Sequence, residues 1–416
     1  MTQEATFARG KPDRLWGGRA LALVGIVLIA LSLRTAIASV SPIVSEINAE
    51  ISLDGVRLGI IGMLPPACFA VFGLFSPLAT RSFGLESTTI LAIALMVVGH
   101  LGRAIAINFD WFLVGSILTF AGTGIGNALL PPLVKRYFPD RIGTLTSLYA
   151  GALSVSAFLP PLVAVPIANS AAGWRVSLGL WGVFATFAAI PWLLLLAKRP
   201  SRNRDAAVIA RRPGLPIAVL RRSGIAWSIL IVFASSSMTM YAVFAWLPVL
   251  LVNTAGVSAL GAGALLALYA AVGFPAAVVV PILVSRVRSV GAPIIFGVSC
   301  VCIGIMGLLL APSFAPWLWV VLISMGRLLY PVAMTLINLR ARSHEDSLSL
   351  SSFVNGVGYV FGMLGPFLFG LLHEIGGGWT LPLLMLFVPA IAAAIVAFPL
   401  GQSGMIENSG QVVEPS

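Results

Sequence analysis

The sequence predicts an all-α integral membrane protein, with twelve transmembrane helices forming two six-helix bundles related by a pseudo-two-fold axis. Three observations lead there. Of 416 residues, 59% are hydrophobic and only 9% are charged, against about 25% charged in a soluble domain. Apolar stretches recur along nearly the whole chain at roughly 20 residues each, the length at which a helix crosses a bilayer. Landmarks of the first half return in the second at a nearly constant offset.

Lipid admits only helices or closed barrels as spanning structures. These runs are twice the length of barrel strands and do not alternate, so each is a helix. The spans read as 20–44, 57–79, 88–108, 111–135, 142–168, 174–197, 225–252, 259–285, 290–311, 316–340, 348–373 and 379–400. Residues 1–19 are basic and polar. The apolar run after them outlasts a signal-peptide core and meets Arg34 and Pro42 rather than a small-residue cleavage site, so it is read as a retained first span. Bundles over 20–197 and 225–400 flank a basic loop, 198–224, that carries Pro200, Pro213 and Pro216. The tail, 401–416, is rich in polar residues and Gly and is expected to be disordered.

The net charge of +11 does not indicate nucleic acid, because the basic residues fall in short loops between spans. Arg9, Lys11, Arg14 and Arg19, then Arg81, Lys135, Arg136 and Arg141, the central loop, Arg286, Arg288, Arg340 and Arg342 all fall on one side. Arg57 and Arg175 stand on the other. That asymmetry places both termini and the central loop in the cytoplasm of an inner (plasma) membrane protein.

The repeat supports the six-plus-six division. Pro161 and Pro366, Trp174 and Trp379, and Arg81 and Arg286 are each 205 residues apart (366 − 161, 379 − 174, 286 − 81). Gly126-Asn127 with Pro131 matches Gly326-Arg327 with Pro331 at an offset of 200 (326 − 126). Parallel six-helix repeats with a site at their interface are the major facilitator architecture.

Ionisable groups deep in a membrane point to function. At 1.5 Å rise per residue, Arg34 lies about 21 Å into the first span and Arg327 about 16 Å into the tenth. The fourteen Asp and Glu residues all fall in loops, tails or span ends, leaving no acid at that depth. Two guanidiniums facing a cavity suit an anionic or strongly polar ligand; bonds to helix carbonyls, hydroxyls and water are the structural alternative. Further candidate contacts are Asn127, Tyr241, Tyr330, Asn355 and Tyr359, with Tyr149 and Trp246 nearby; such side chains also glue helices together. His100 is a candidate proton carrier, although a helix–helix hydrogen bond suits it better. Arg103, one turn on, is expected to snorkel to the outer surface. Cys68, Cys300 and Cys302 read as buried thiols. Gly122-Thr123-Gly124-Ile125-Gly126 lacks the following Lys and the preceding strand of a phosphate loop, so it reads as helix packing. Gly358, Gly362, Gly365 and Pro366 read the same way, with a bend expected there. No catalytic set or metal cluster is apparent, so neither an enzyme nor a cofactor is expected.

Several motifs resemble the cyanate/2-nitroimidazole transporter family of the major facilitator superfamily. They are Leu31-Ser32-Leu33-Arg34; Gly124 through Pro131 with Val134-Lys135-Arg136 and Phe138-Pro139-Asp140-Arg141; Tyr241 with Ala245-Trp246-Leu247-Pro248; and Gly356-Val357-Gly358-Tyr359 leading to Leu364-Gly365-Pro366. The likeness covers about residues 28–380. The superfamily's loop signature keeps Arg81 and Gly84 but lacks the acidic residue before the arginine. The resemblance implies secondary transport of a small polar or anionic compound. The expected function is therefore alternating access around Arg34 and Arg327. The alternative is an exporter of drugs or apolar metabolites. Expected partners are the small-molecule substrate, the lipid bilayer and, as a candidate coupling ion, the proton. The expected state is a monomer.

Overall fold

The computed structural model describes residues 19–198, 215–286 and 290–401. The residues expected at the start of the chain, most of the central loop, Arg288 and the tail lie outside these. The described chain is helical throughout: α1 (Arg19–Asn48), α2 (Gly55–Phe83), α3 (Leu85–Ala104), α4 (Phe109–Tyr137), α5 (Ile142–Ala168), α6 (Gly173–Lys198), α7 (Gly224–Ala255), α8 (Ala259–Arg286), α9 (Gly291–Leu310), α10 (Pro316–Arg340), α11 (His344–Gly376) and α12 (Thr380–Gly401). Eleven are long and apolar enough to cross a membrane; α8 is apolar over Ala259–Gly273 and runs for 28 residues in all.

Local chemistry sets the ends. The side chains of Asp54, Asn108, Ser223 and Ser343 accept hydrogen bonds from backbone N–H groups three residues on and so cap α2, α4, α7 and α11. Gly256 and Gly377 close α7 and α11 at φ +65° and +61°, where a side chain would be strained. Two expected boundaries move for this reason. The third span ends at Ala104 rather than 108, because Asn108 already caps α4. The eleventh begins at His344 rather than 348, behind the Ser343 cap.

Two helices are broken. In α1, turns interrupt the helix at Leu33-Arg34 and again at Ser39-Val40. The second break precedes Pro42, which has no N–H to give the Ala38 carbonyl and whose ring crowds it. In α10, a 3-10 turn covers Met325–Leu328. Pro331 withholds the N–H that would bind the Arg327 carbonyl, while Ser236 Oγ on α7 donates to the Gly326 carbonyl at 3.2 Å.

The helix α3 packs on α4 and α6, α1 on α5 and α6, α7 on α11 and α12, and α9 on α10 and α12. Glycines allow the close approaches. A Cβ on Gly122 would meet Met96 Cγ at 2.8 Å, one on Gly124 the Cys68 carbonyl at 2.8 Å, and one on Gly126 Leu33 Cδ2 at 2.7 Å. The run that mimics a phosphate loop therefore seats α3, α2 and α1 against successive faces of α4. The run on α11 packs likewise, with Gly358 on Phe233 and Gly365 on Met238. The helix stays continuous through Pro366, so the expected bend does not interrupt it.

Two further contacts, α2 with α11 and α5 with α8, join the first six helices to the last six. The α2–α11 seam starts where the Gly55 N–H donates to Glu374 at 2.6 Å. It continues through Gly59 and Gly62 on Pro366, then reaches Phe69 and Tyr359, whose ring centroids lie 6.0 Å apart. Beyond that level a Cβ on Gly73 or Gly356 would meet nothing within 4 Å. The close contacts named between the two helices lie toward the Glu374 end.

Ion pairs in the described residues lie at the two ends of the helices. Arg19 pairs with Asp140 and Arg136 with Glu86, both at 3.3 Å. At the opposite end Arg57 pairs with Asp54, and Arg175 with Glu50. Hydrogen bonds from Arg175 and Trp174 hold the Glu50 carboxyl below the usual carboxylate range.

Candidate functional site

Both deep arginines sit where their helix is irregular. Arg34 occupies the first break of α1, where Ile37 N–H reaches the Arg34 carbonyl in a three-residue turn. Arg327 lies in the 3-10 turn of α10. Irregular backbone at membrane depth persists where protein buries it or where it lines a cavity. The two guanidiniums lie within electrostatic range of each other and of Tyr241.

Neither arginine has an acidic partner among the described residues. Arg34 is half-buried and makes no hydrogen bond to a described residue. Arg327 rests on aromatic faces, its Cζ 5.2 Å from the Tyr269 ring centre and 5.7 Å from that of Phe244. Its Nε and Nη1 are buried without a partner. Cation–π contacts steady a guanidinium by about 0.5–2 kcal/mol each, but they satisfy none of its N–H donors.

Tyrosines surround the pair. Tyr330 on α10 interacts with Tyr149 on α5, Tyr241 on α7 and Tyr359 on α11. Phe233 packs against Tyr330 at 5.6 Å and Tyr359 at 5.3 Å between centroids. Of the chain's six tyrosines, five therefore converge here; the sixth, Tyr137, donates to Glu86 at the Arg136 end. Next to Tyr241 and Phe244, a narrow gap is lined by Ala36, Ile37, Ile61 and Phe120. A larger space at the Glu374 end is lined by Asn48, Trp246, Asn253 and His373. Ser41 and Leu58 border both, and there Ser41 Oγ donates to the Phe244 carbonyl at 2.6 Å, tying α1 to α7.

Of the sequence candidates, Arg34, Tyr241, Arg327, Tyr330 and Tyr359 come together. Asn127 is half-buried on unbroken α4, without a hydrogen-bond partner among the described residues. Asn355 turns its amide to Ser351 on its own helix, at 2.8 and 3.1 Å. Trp246 is buried and donates to the Pro366 carbonyl at 3.0 Å, which fixes α7 to α11. His100 is buried where α3 meets α6, its Cβ side against Gly182, and its Nδ1 has no hydrogen-bond partner among the described residues. Arg103 corrects an expectation: it does not snorkel but is wholly buried over the rings of Phe112 and Phe120, at 5.3 and 5.8 Å. The α3–α4 crossing directs it inward, with Gly115 packed on its backbone. Tyr269, Gly273 and Phe244 were missed. Tyr269 carried the same signal as the other span tyrosines; Gly273 carried none.

The family model of the Major Facilitator Superfamily matches residues 22–362. The chain is 31% identical over 384 residues to an uncharacterized transporter, YycB, of Bacillus subtilis, covering 91% of this chain and 92% of that one. It is 28% identical to the 2-nitroimidazole transporter of Escherichia coli (92% and 96% covered) and 23% identical to that organism's cyanate transport protein CynX (86% and 91%). Among solved structures, a bacterial homologue of the lysosomal transporter Spinster, inward-facing and unoccupied, superposes with a TM-score of 0.73 at 16% identity, over 94% of this chain and 98% of that one. A D-xylose–proton symporter superposes at 0.67 and 16% identity, over 93% and 97%. With its helical fold and these relatives, the chain is a multi-pass membrane transporter that belongs to the Major Facilitator Superfamily, among proteins like the cyanate and 2-nitroimidazole transporters.

Proposed function

We propose that this transporter moves a small anionic or strongly polar compound by alternating access, with Arg34 and Arg327 as the principal contacts and Tyr241, Tyr330 and Tyr359 lining the site. Asn127 and Asn355 are secondary contacts in this proposal, and His100 is a packing group. The carrying observation is a buried guanidinium at Arg327 whose Nε and Nη1 have no partner, with neither it nor Arg34 in an ion pair with an acid among the described residues. A buried, unpaired cation costs several kcal/mol, and an anion that bridges both would relieve that cost. The relatives that handle cyanate and 2-nitroimidazole agree with a small polar cargo.

The first and last six helices act as the two moving halves in this reading. The Arg136 end faces the cytoplasm, following the excess of basic residues there. In this reading the α2–α11 seam is the contact that closes the Glu374 end when the site opens inward.

Uptake into proteoliposomes tests the site with cyanate, 2-nitroimidazole and a panel of small anions. Arg34→Ala and Arg327→Ala are each expected to cut the initial rate at least tenfold, about 1.4 kcal/mol of lost interaction. Undiminished transport in both variants would sink the anion site. The exporter alternative would show as uptake of apolar dyes that neither substitution slows.

A further inference from the structure

Arg327 occupies a cradle that α8 supplies. A Cβ on Gly273 would stand 2.6 Å from Arg327 Nε and 2.7 Å from Cζ, and closer still to Nη2. Tyr269 lies one turn earlier on the same face of α8, with its ring centre 5.2 Å from Cζ. The guanidinium thus lies over bare backbone, beside a ring on α8 and the Phe244 ring on α7. Nη2 faces Gly273, while Nε and Nη1 keep no partner.

We infer that Gly273 is a positioning residue: by having no side chain, it fixes the aim of Arg327 and with it the transporter's apparent affinity for its cargo. The inference rests on the reading of Arg327 as an anion contact. Ordinary van der Waals contact begins at 3.4 Å, so an added methyl displaces the guanidinium by about 1 Å. The side chain is long enough to yield without unfolding the bundle. A displaced fork no longer meets an anion that Arg34 also holds, because a bidentate contact depends on geometry as well as charge.

Two measurements test this in the full-length transporter. The first needs no cargo. With arginine labelled at Nε, the Arg327 signal is assigned by its loss in Arg327→Lys. It is expected to carry ring-current shielding from Tyr269 and Phe244, and to lose that shielding in Gly273→Ala. An Arg327 signal that stays in place in Gly273→Ala overturns the inference, whatever transport does. The second is a double-mutant cycle read by [14C]cyanate uptake. Gly273→Ala is expected to raise the apparent KM at least tenfold with Vmax within about twofold, whereas in an Arg327→Lys background the same change moves KM less than about twofold. Equal effects in both backgrounds would mean that Gly273 serves only helix packing, and would also overturn it. Failure of the anion-site reading looks different: Arg327→Ala then transports normally, and the resonance alone decides whether Gly273 aims the side chain.

Discussion

At the scale of the residue, the two arginines in the site and Arg103 illustrate different ways of keeping a guanidinium in a membrane protein. Arg34 is half-buried and Arg327 lies against the rings of Tyr269 and Phe244 with Nη2 facing Gly273, whereas Arg103 is enclosed, with all three nitrogens buried and unbonded. Removing such a charge from water costs several kcal/mol. Two ring faces at about 2 kcal/mol each when desolvated, and the last turn of α3 at up to about 1 kcal/mol, offset much of it. Phe120→Leu is therefore expected to destabilise the wild type by about 1–2 kcal/mol more than it destabilises Arg103→Met. Thermal unfolding in detergent reads the difference. Equal losses in the two backgrounds would show that the rings do not hold the charge. Depth along the span made Arg34 and Arg327 legible in the sequence, because rise per residue is constant in a helix. Depth could not show that Arg103 turns inward, since that depends on Gly115 and two phenylalanines of another helix. Gly273 was illegible for a related reason: a glycine matters through the neighbour that occupies its missing side chain.

At the scale of the element, the breaks in α1 and α10 bring the site together. The spans themselves were legible from apolar length, and their ends shifted by a few residues toward the capping side chains. The breaks were not read, although one cause stands in the sequence: Pro331 lies four residues after Arg327 and removes its helical hydrogen bond. Pro331→Ala restores that N–H. An α-helix turns about 100° per residue and a 3-10 helix about 120°. Conversion of the four residues Met325–Leu328 would therefore rotate the chain by about 80° through the turn. Arg327 would leave its cradle while the helix gained a hydrogen bond. The expected result is an apparent KM at least tenfold higher, with a melting temperature unchanged or raised. An unaltered KM would mean that the 3-10 turn does not aim Arg327.

At the scale of the whole molecule, the α2–α11 seam couples the site to the ends of the transporter. Tyr359 stands at the last step of the seam and also lies within electrostatic range of Arg34, so separation of α2 from α11 moves one wall of the site. Gly59 sits midway along the closed half, where an added Cβ would be 3.1 Å from the Pro366 carbonyl and 3.2 Å from Phe367 Cα. Those atoms are backbone and cannot swing aside. A branched side chain at Gly59 therefore opposes the closed seam and leaves a conformation with the Glu374 end apart unpenalised. Each 1.4 kcal/mol of difference shifts the two populations tenfold. Gly59→Val is expected to raise the thiol-labelling rate of a cysteine introduced at Ser41, which is buried beside the space at the Glu374 end, by about tenfold or more. The same substitution should slow labelling of a cysteine introduced at Gly356, where an added Cβ now meets nothing within 4 Å. The opposite responses matter, because general loosening would speed both reactions. Faster labelling at both positions would therefore show damage to packing and reject the seam as the element that alternates.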